Sequence, residues 1–179
     1  MLPLILPIGA LLLGVALLLL GGGLLNTLLA IRGGLEGYSD SSMGWIMSGY
    51  FVGFFIGTFL ALPIIQRIGH IRSFAFCAAI AACSVLLHVL LVNPVGWLLL
   101  RVVTGSSLVI LYTVIESWLN GYTPSEQRGK VFGLQNNLIN ISLSLPLILA
   151  GALVSSIGLS PVLWILAALS FFAALVEQP

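Results

Sequence analysis

The sequence predicts an all-α protein that lives in a lipid bilayer and crosses it six times. Three observations carry this expectation. Only 6% of the residues are charged and 60% are hydrophobic, whereas a water-soluble domain carries about 25% charged residues, so there are too few ionic groups to clothe a water-facing surface. The apolar residues fall into six runs of spanning length, a transmembrane helix needing about 20 residues. The few charges collect in the breaks between runs, and successive breaks differ in character.

The first run covers about 4–31. Its opening could pass for a secretory leader, but it has no basic n-region and stays apolar beyond Gly23 to Ile31, too long for a leader core. The second run, about 42–66, carries Gly49, Gly53, Gly57 and Ala61 at every fourth position. On a helix these make one bare strip, and in lipid such a strip admits a second helix at close range. The run ends in Gln66-Arg67-Ile68-Gly69-His70-Ile71-Arg72, a cationic tight turn that folds runs two and three into a hairpin.

The third run, about 72–92, contains Cys77 and Cys83. Six residues of straight helix rise roughly 9 Å, too far for a disulfide, so both are expected as small buried residues. His88 stands in the same run and is read as packing in preference to proton transfer. After the Asn93-Pro94 turn the fourth run covers about 96–120, the fifth 130–155 and the sixth 160–176, the shortest. The fifth is polar: Asn137, Asn140 and Ser144 share a face with Gly133, Asn136 points elsewhere, and Pro146 is expected to bend it.

Placing the second and fourth loops inside puts Arg67, Arg72, Arg128 and Lys130 in the cytoplasm and leaves only Arg32 in the outer loops. That obeys the positive-inside rule and makes both termini cytoplasmic, in the inner or plasma membrane. Tyr38, Trp45 and Trp97 then mark the outer interface, Trp118 and Tyr122 the inner one. Six helices with both ends inside divide into two triplets of opposite orientation, a 3+3 inverted repeat that rests on topology and not on repeated residues.

In this order and spacing the chain resembles the N-terminal half of a major facilitator superfamily transporter. Gln66-Arg67-Ile68-Gly69 and Arg72 fall on the second part of the family's G-x-x-x-D-R-x-G-R-R pattern, with Leu62 in place of its first glycine and Gln66 in place of its aspartate. Arg101-Val-Val-Thr-Gly105 is similar to its R-x-x-x-G motif, and Arg128-Gly129-Lys130 opens helix 5 as in many members. The resemblance implies two six-helix halves around a central cavity with alternating access. Residues 1–179 would supply one such half as a single transmembrane domain, a fragment whose partner is a missing second half or another copy. The strip on helix 2 is accordingly expected to be partly bare, since in the family it meets a helix of the absent half.

Arg101 is the sharpest candidate. An intramembrane arginine costs about 2.5–3.5 kcal/mol on insertion scales and should face protein or water. It would serve as a cavity cation that binds substrate or senses proton binding nearby; the competing reading is snorkelling to the headgroups. Gly105, Tyr112 and Glu116 lie on its stripe, but Glu116 is fifteen residues away, roughly 22 Å, too far to pair. Glu116 is instead expected to latch a cytoplasmic gate through Arg67 or Arg72, beside Gly69 and Arg128, the competing reading being a solvated interfacial carboxylate. Asn26, Asn137, Asn140 and Ser144 are candidate cavity residues, with interhelical hydrogen bonding as the alternative for the fifth-run set. His70 is read as a plain loop residue, and Arg32, Glu36 and Asp40 as a solvated loop.

Other classes fit less well. Ser106, Ser117 and Ser160 lack a Gly-x-Ser-x-Gly-like frame, and there is no His-Glu-x-x-His, so neither serine nor metal hydrolysis is expected. Asn93-Pro94-Val95 resembles an aquaporin turn, but it occurs once where two half-helical copies are needed. The net charge of +1 argues against nucleic acid. No cofactor or metal is implied; the partners are lipid and a small-molecule substrate. Proton coupling through a carboxylate would have to come from the missing half. The alternative to a transporter half is a non-transporting assembly subunit or an inactive truncated product.

Overall fold

The computed structural model describes residues 2–137, 140 and 141. Most of the expected fifth helix and all of the sixth, with Ser144, Pro146 and Ser160, lie outside them. The described residues form four long helices, α1 (Leu2–Leu35), α2 (Asp40–Ile68), α3 (His70–Leu90) and α4 (Pro94–Tyr122), then a 3₁₀ turn at Ser125–Gln127 and helical residues 128–137. Within these, Ala16–Leu35, Asp40–Ile68, His70–Leu90 and Pro94–Gly121 are long and apolar enough to cross a membrane.

The helices start and stop where local chemistry satisfies their end groups. Ser39 Oγ accepts from the Ser42 N–H at 3.2 Å to open α2, and Asp40 follows in its first turn. Asn93 Oδ1 accepts from the Val95 and Gly96 N–H groups at 2.9 and 3.4 Å, with Pro94 in the first turn of α4. Asn93-Pro94 is therefore a helix cap. The loop between α1 and α2 is shorter than its polar run suggests: Arg32 is still helical and meets Glu36 at 3.4 Å, one turn on.

Gly69 alone joins α2 to α3. Its φ of +81° and ψ of 168° lie where a Cβ is strongly disfavoured. Its N–H bonds to the Ile65 carbonyl at 2.9 Å, and its own carbonyl accepts from the Ser73 N–H and Oγ at 3.1 and 2.7 Å. The cationic turn expected from sequence thus closes on a single residue.

The small-residue strip of α2 is buried, and α4 covers it. Gly49 faces the Leu98 carbonyl, Gly53 the Val102 carbonyl and Gly57 the Ser106 carbonyl; on the facing helix Gly105 meets the Tyr50 carbonyl. The pairs advance together along both chains, so α2 and α4 run parallel with their backbones in contact. A methyl on Gly53 would overlap the Val102 backbone, and one on Gly57 would come within 2.6 Å of the Ser106 oxygen. Ser106 Oγ lies 2.8 Å from the Gly53 carbonyl and 2.9 Å from Val102's, bonding across the seam. The expectation that this strip stays partly bare is corrected: its partner belongs to the same bundle. The face of α2 opposite the strip, with Phe51, Phe55 and Phe59, is the exposed one.

α3 lays Ala78, Ala81, Ala82, Val85 and His88 into the bundle. The leucines of α1 close the core, Leu18 and Leu19 against Leu108 and Leu111, and Leu25, Leu28 and Leu29 near Ile46 and Trp97. Two sequence expectations change here. Cys77 is buried but Cys83 is exposed, because six residues turn it away from the core face. Trp97 is 0% exposed and no interface marker: its ring stands edge-on to Tyr38 at 5.3 Å and 6.1 Å from the His88 ring.

Candidate functional site

On α4, Arg101, Thr104, Leu108 and Tyr112 recur at helical spacing and share one side, next to the side given to α2. With Leu18, Leu19, Gly22, Gly23 and Asn26 of α1 and Tyr50 of α2, they line a partly open cavity of about 40 Å³, room for a water or a few. The triple glycine of α1 helps to leave this space, since Gly22 presents no side chain to Leu108 and a methyl there would stop at ordinary contact, 3.7 Å.

Arg101 is 3% exposed. Its guanidinium carbon sits 4.9 Å from the centre of the Tyr50 ring, a cation–π contact. The side chain stays within the bundle and does not run out along the surface. Its Nε is buried with no hydrogen-bond acceptor among the described residues. Thr104 donates to the Leu100 carbonyl at 2.8 Å, so its proton is already engaged. The cavity therefore holds one cation, one amide, phenolic and aliphatic hydroxyls, and an apolar wall of leucines.

Of the residues singled out from sequence, the cavity collects Asn26, Arg101 and Tyr112. Gly105 turns to α2 instead. Asn137 and Asn140 are exposed and do not line it, and Ser144 lies outside the described residues. Tyr50 and Thr104 were not singled out. Tyr50 hides in an apolar run, and its one signal is adjacency to Gly49, which brings it against α4. Gln135 is likewise unflagged among Asn136 and Asn137, yet it is 3% exposed with Oε1 unpaired among the described residues.

At the α2–α3 end the expected latch is not formed. Glu116, Arg67 and Arg72 are all exposed, and the ion pair among the described residues is Arg32–Glu36. The next residue along α4 makes the link: Ser117 Oγ is 3.0 Å from His70 Nε2, tying the start of α3 to α4. One residue is about 100° of helix, which turns Glu116 away as Ser117 turns in. His70 is thus the first residue of α3 and a bridge, not a plain loop residue. Arg128 donates from Nε to the Thr123 carbonyl and from Nη2 to that of Asn120, both at 3.2 Å, and so caps the end of α4.

His88 is 1% exposed. Its Nδ1 is 2.7 Å from the Ser84 carbonyl; a carbonyl only accepts, so Nδ1 carries the proton and Nε2 presents a bare lone pair. The described residues contain no group of three His, Cys, Asp or Glu side chains placed to hold a metal.

Residues 5–176 match the family model described as Major Facilitator Superfamily. The chain is also similar to proteins named "Uncharacterized MFS-type transporter YcaD" from Escherichia coli, among them those of strain K12 / DH10B and of O157:H7 strain EC4115. It is 34% identical to each over 125 residues, which cover 70% of this chain and 33% of the relative. The matched stretch thus spans a third of the relatives' length.

Proposed function

This chain belongs to the major facilitator superfamily, and from that premise we propose that it carries a small molecule across the membrane by alternating access, with the cavity between α1, α2 and α4 as its binding site. Membership makes it an integral membrane transporter and not an enzyme. The finer reading has three parts. The chain acts as a 3+3 six-helix half in the inner membrane with both termini cytoplasmic. It works against a second half or another copy. Arg101, Asn26 and Tyr112 contact the substrate, while Arg67, Gly69, Arg72, Glu116 and Arg128 belong to the cytoplasmic gate, and Asn137, Asn140 and Ser144 line the wider pathway outside that cavity.

The observation that carries this reading is the buried Arg101, held on the Tyr50 ring beside a polar cavity. A bundle built only to pack has no use for a cation there, since its insertion costs about 2.5–3.5 kcal/mol. The test is side-specific labelling in a Cys77→Ala, Cys83→Ala background. A cysteine at Asn26 should react with membrane-impermeant thiol reagents from both faces, and one at Phe59 from neither. Reaction at Asn26→Cys from one face only favours a non-transporting assembly subunit. Cysteines replacing Arg67 and Arg72 should react from the cytoplasmic face alone.

A further inference from the structure

We infer that the ligand of this cavity is a small monocarboxylate with an apolar portion, received by Arg101; this rests on the cavity being the transport site. Arg101 is 3% exposed, and its buried Nε has no acceptor among the described residues. The guanidinium carbon sits over the Tyr50 ring, a contact that supplies no oxygen acceptor to the N–H donors. Those donors form a planar fork that matches a carboxylate in two parallel bonds. A charge this deep requires a counter-charge.

Among the described residues no carboxylate pairs with Arg101. The chain's acidic residues are Glu36, Asp40, Glu116, Glu126 and Glu177. The first two flank the α1–α2 loop, Glu116 is exposed and roughly 22 Å along α4, Glu126 is in the 3₁₀ turn, and Glu177 lies outside the described residues. Among the described residues the lining carries no second cation, so one negative charge is balanced, whereas a doubly charged phosphate would leave an excess buried. The amide of Asn26 and the hydroxyl of Tyr112 supply polar contacts beside the head; Leu18, Leu19 and Leu108 form the wall for a short apolar tail.

The full chain in liposomes, cysteine-free apart from Asn26→Cys, tests this with matched probes. An anionic sulfonatoethyl methanethiosulfonate should modify residue 26 about tenfold faster than its cationic trimethylammonioethyl counterpart. Butyrate should slow modification, and butyramide and butylammonium should not. Arg101→Gln should abolish both effects; Arg101→Lys should keep the charge preference and lose most of the butyrate protection. The ligand comparison needs no Arg101 variant, so a misfolded Arg101→Gln leaves it decisive. Equal protection by all three probes, or none by butyrate, overturns the proposal. A residue 26 that reacts with neither reagent defeats the transport reading itself, whereas one that reacts without regard to charge defeats only the carboxylate.

Discussion

Helix α4 meets its neighbours in two different ways. Toward α2 it presents Leu98, Val102, Gly105 and Ser106, and the two backbones touch across glycines. Around the cavity it shares with α1 and Tyr50 it presents Arg101, Thr104, Leu108 and Tyr112, and leucine side chains meet there. Small residues do opposite things on these two sides. The period-four glycines of α2 let a helix come close and are then filled by its carbonyls. Gly22 of α1 leaves its space open, the nearest atom to a methyl there being Leu108 Cδ1 at 3.7 Å. A single helix thereby seals one side and borders a cavity on the other.

Substitutions at the two sets of glycines should separate these roles. The largest effect is expected at the seam: Gly53→Leu puts a side chain into the Val102 backbone and should lower stability by about 3 kcal/mol, read as loss of the folded fraction in a detergent unfolding titration. Next is the hairpin that presents the strip to α4. Gly69→Ala forces a Cβ into its positive-φ conformation and should cost about 2 kcal/mol, read in the same titration. Gly22→Ala on the cavity side should reverse the sign, since its methyl meets only ordinary contact at 3.7 Å and alanine is favoured over glycine in a helix by about 1 kcal/mol. A loss of stability there would erase the distinction between the two sides. Smallest is Ser106→Ala, which removes the hydroxyl that bridges the seam; about 0.6 kcal/mol is the usual value of such a bond in a membrane, read in the same titration.

The same contrast explains what could be read from residues alone. Gly49, Gly53, Gly57 and Ala61 announce a close helix approach because spacing of four is a local property. They do not say which helix approaches, and the covering partner proved to be α4. Arg101 was visible because an intramembrane charge is rare, and Asn26 and Tyr112 because they are polar in apolar runs. Tyr50 was not visible, since an aromatic residue among phenylalanines carries no sign of the cation it supports. Trp97 misleads for a related reason: indole suits both a headgroup layer and a core, and its burial against Tyr38 and His88 depends on contacts between distant parts of the chain. Among the described residues Glu116 forms no ion pair with Arg67 or Arg72, and the reason is azimuth. Spacing along α4 put a carboxylate at the correct level, but the neighbouring Ser117 faces α3 and makes the bond to His70.

One residue, Gly69, is all that lies between α2 and α3, and consecutive Cα atoms are about 3.8 Å apart. The connection has no slack to absorb a displacement. If α2 tilts or rolls, the first turn of α3 is dragged with it, and the His70–Ser117 bond delivers that pull to the far end of α4. The pair therefore behaves as a bell crank: a push on one arm reappears, redirected, on the other.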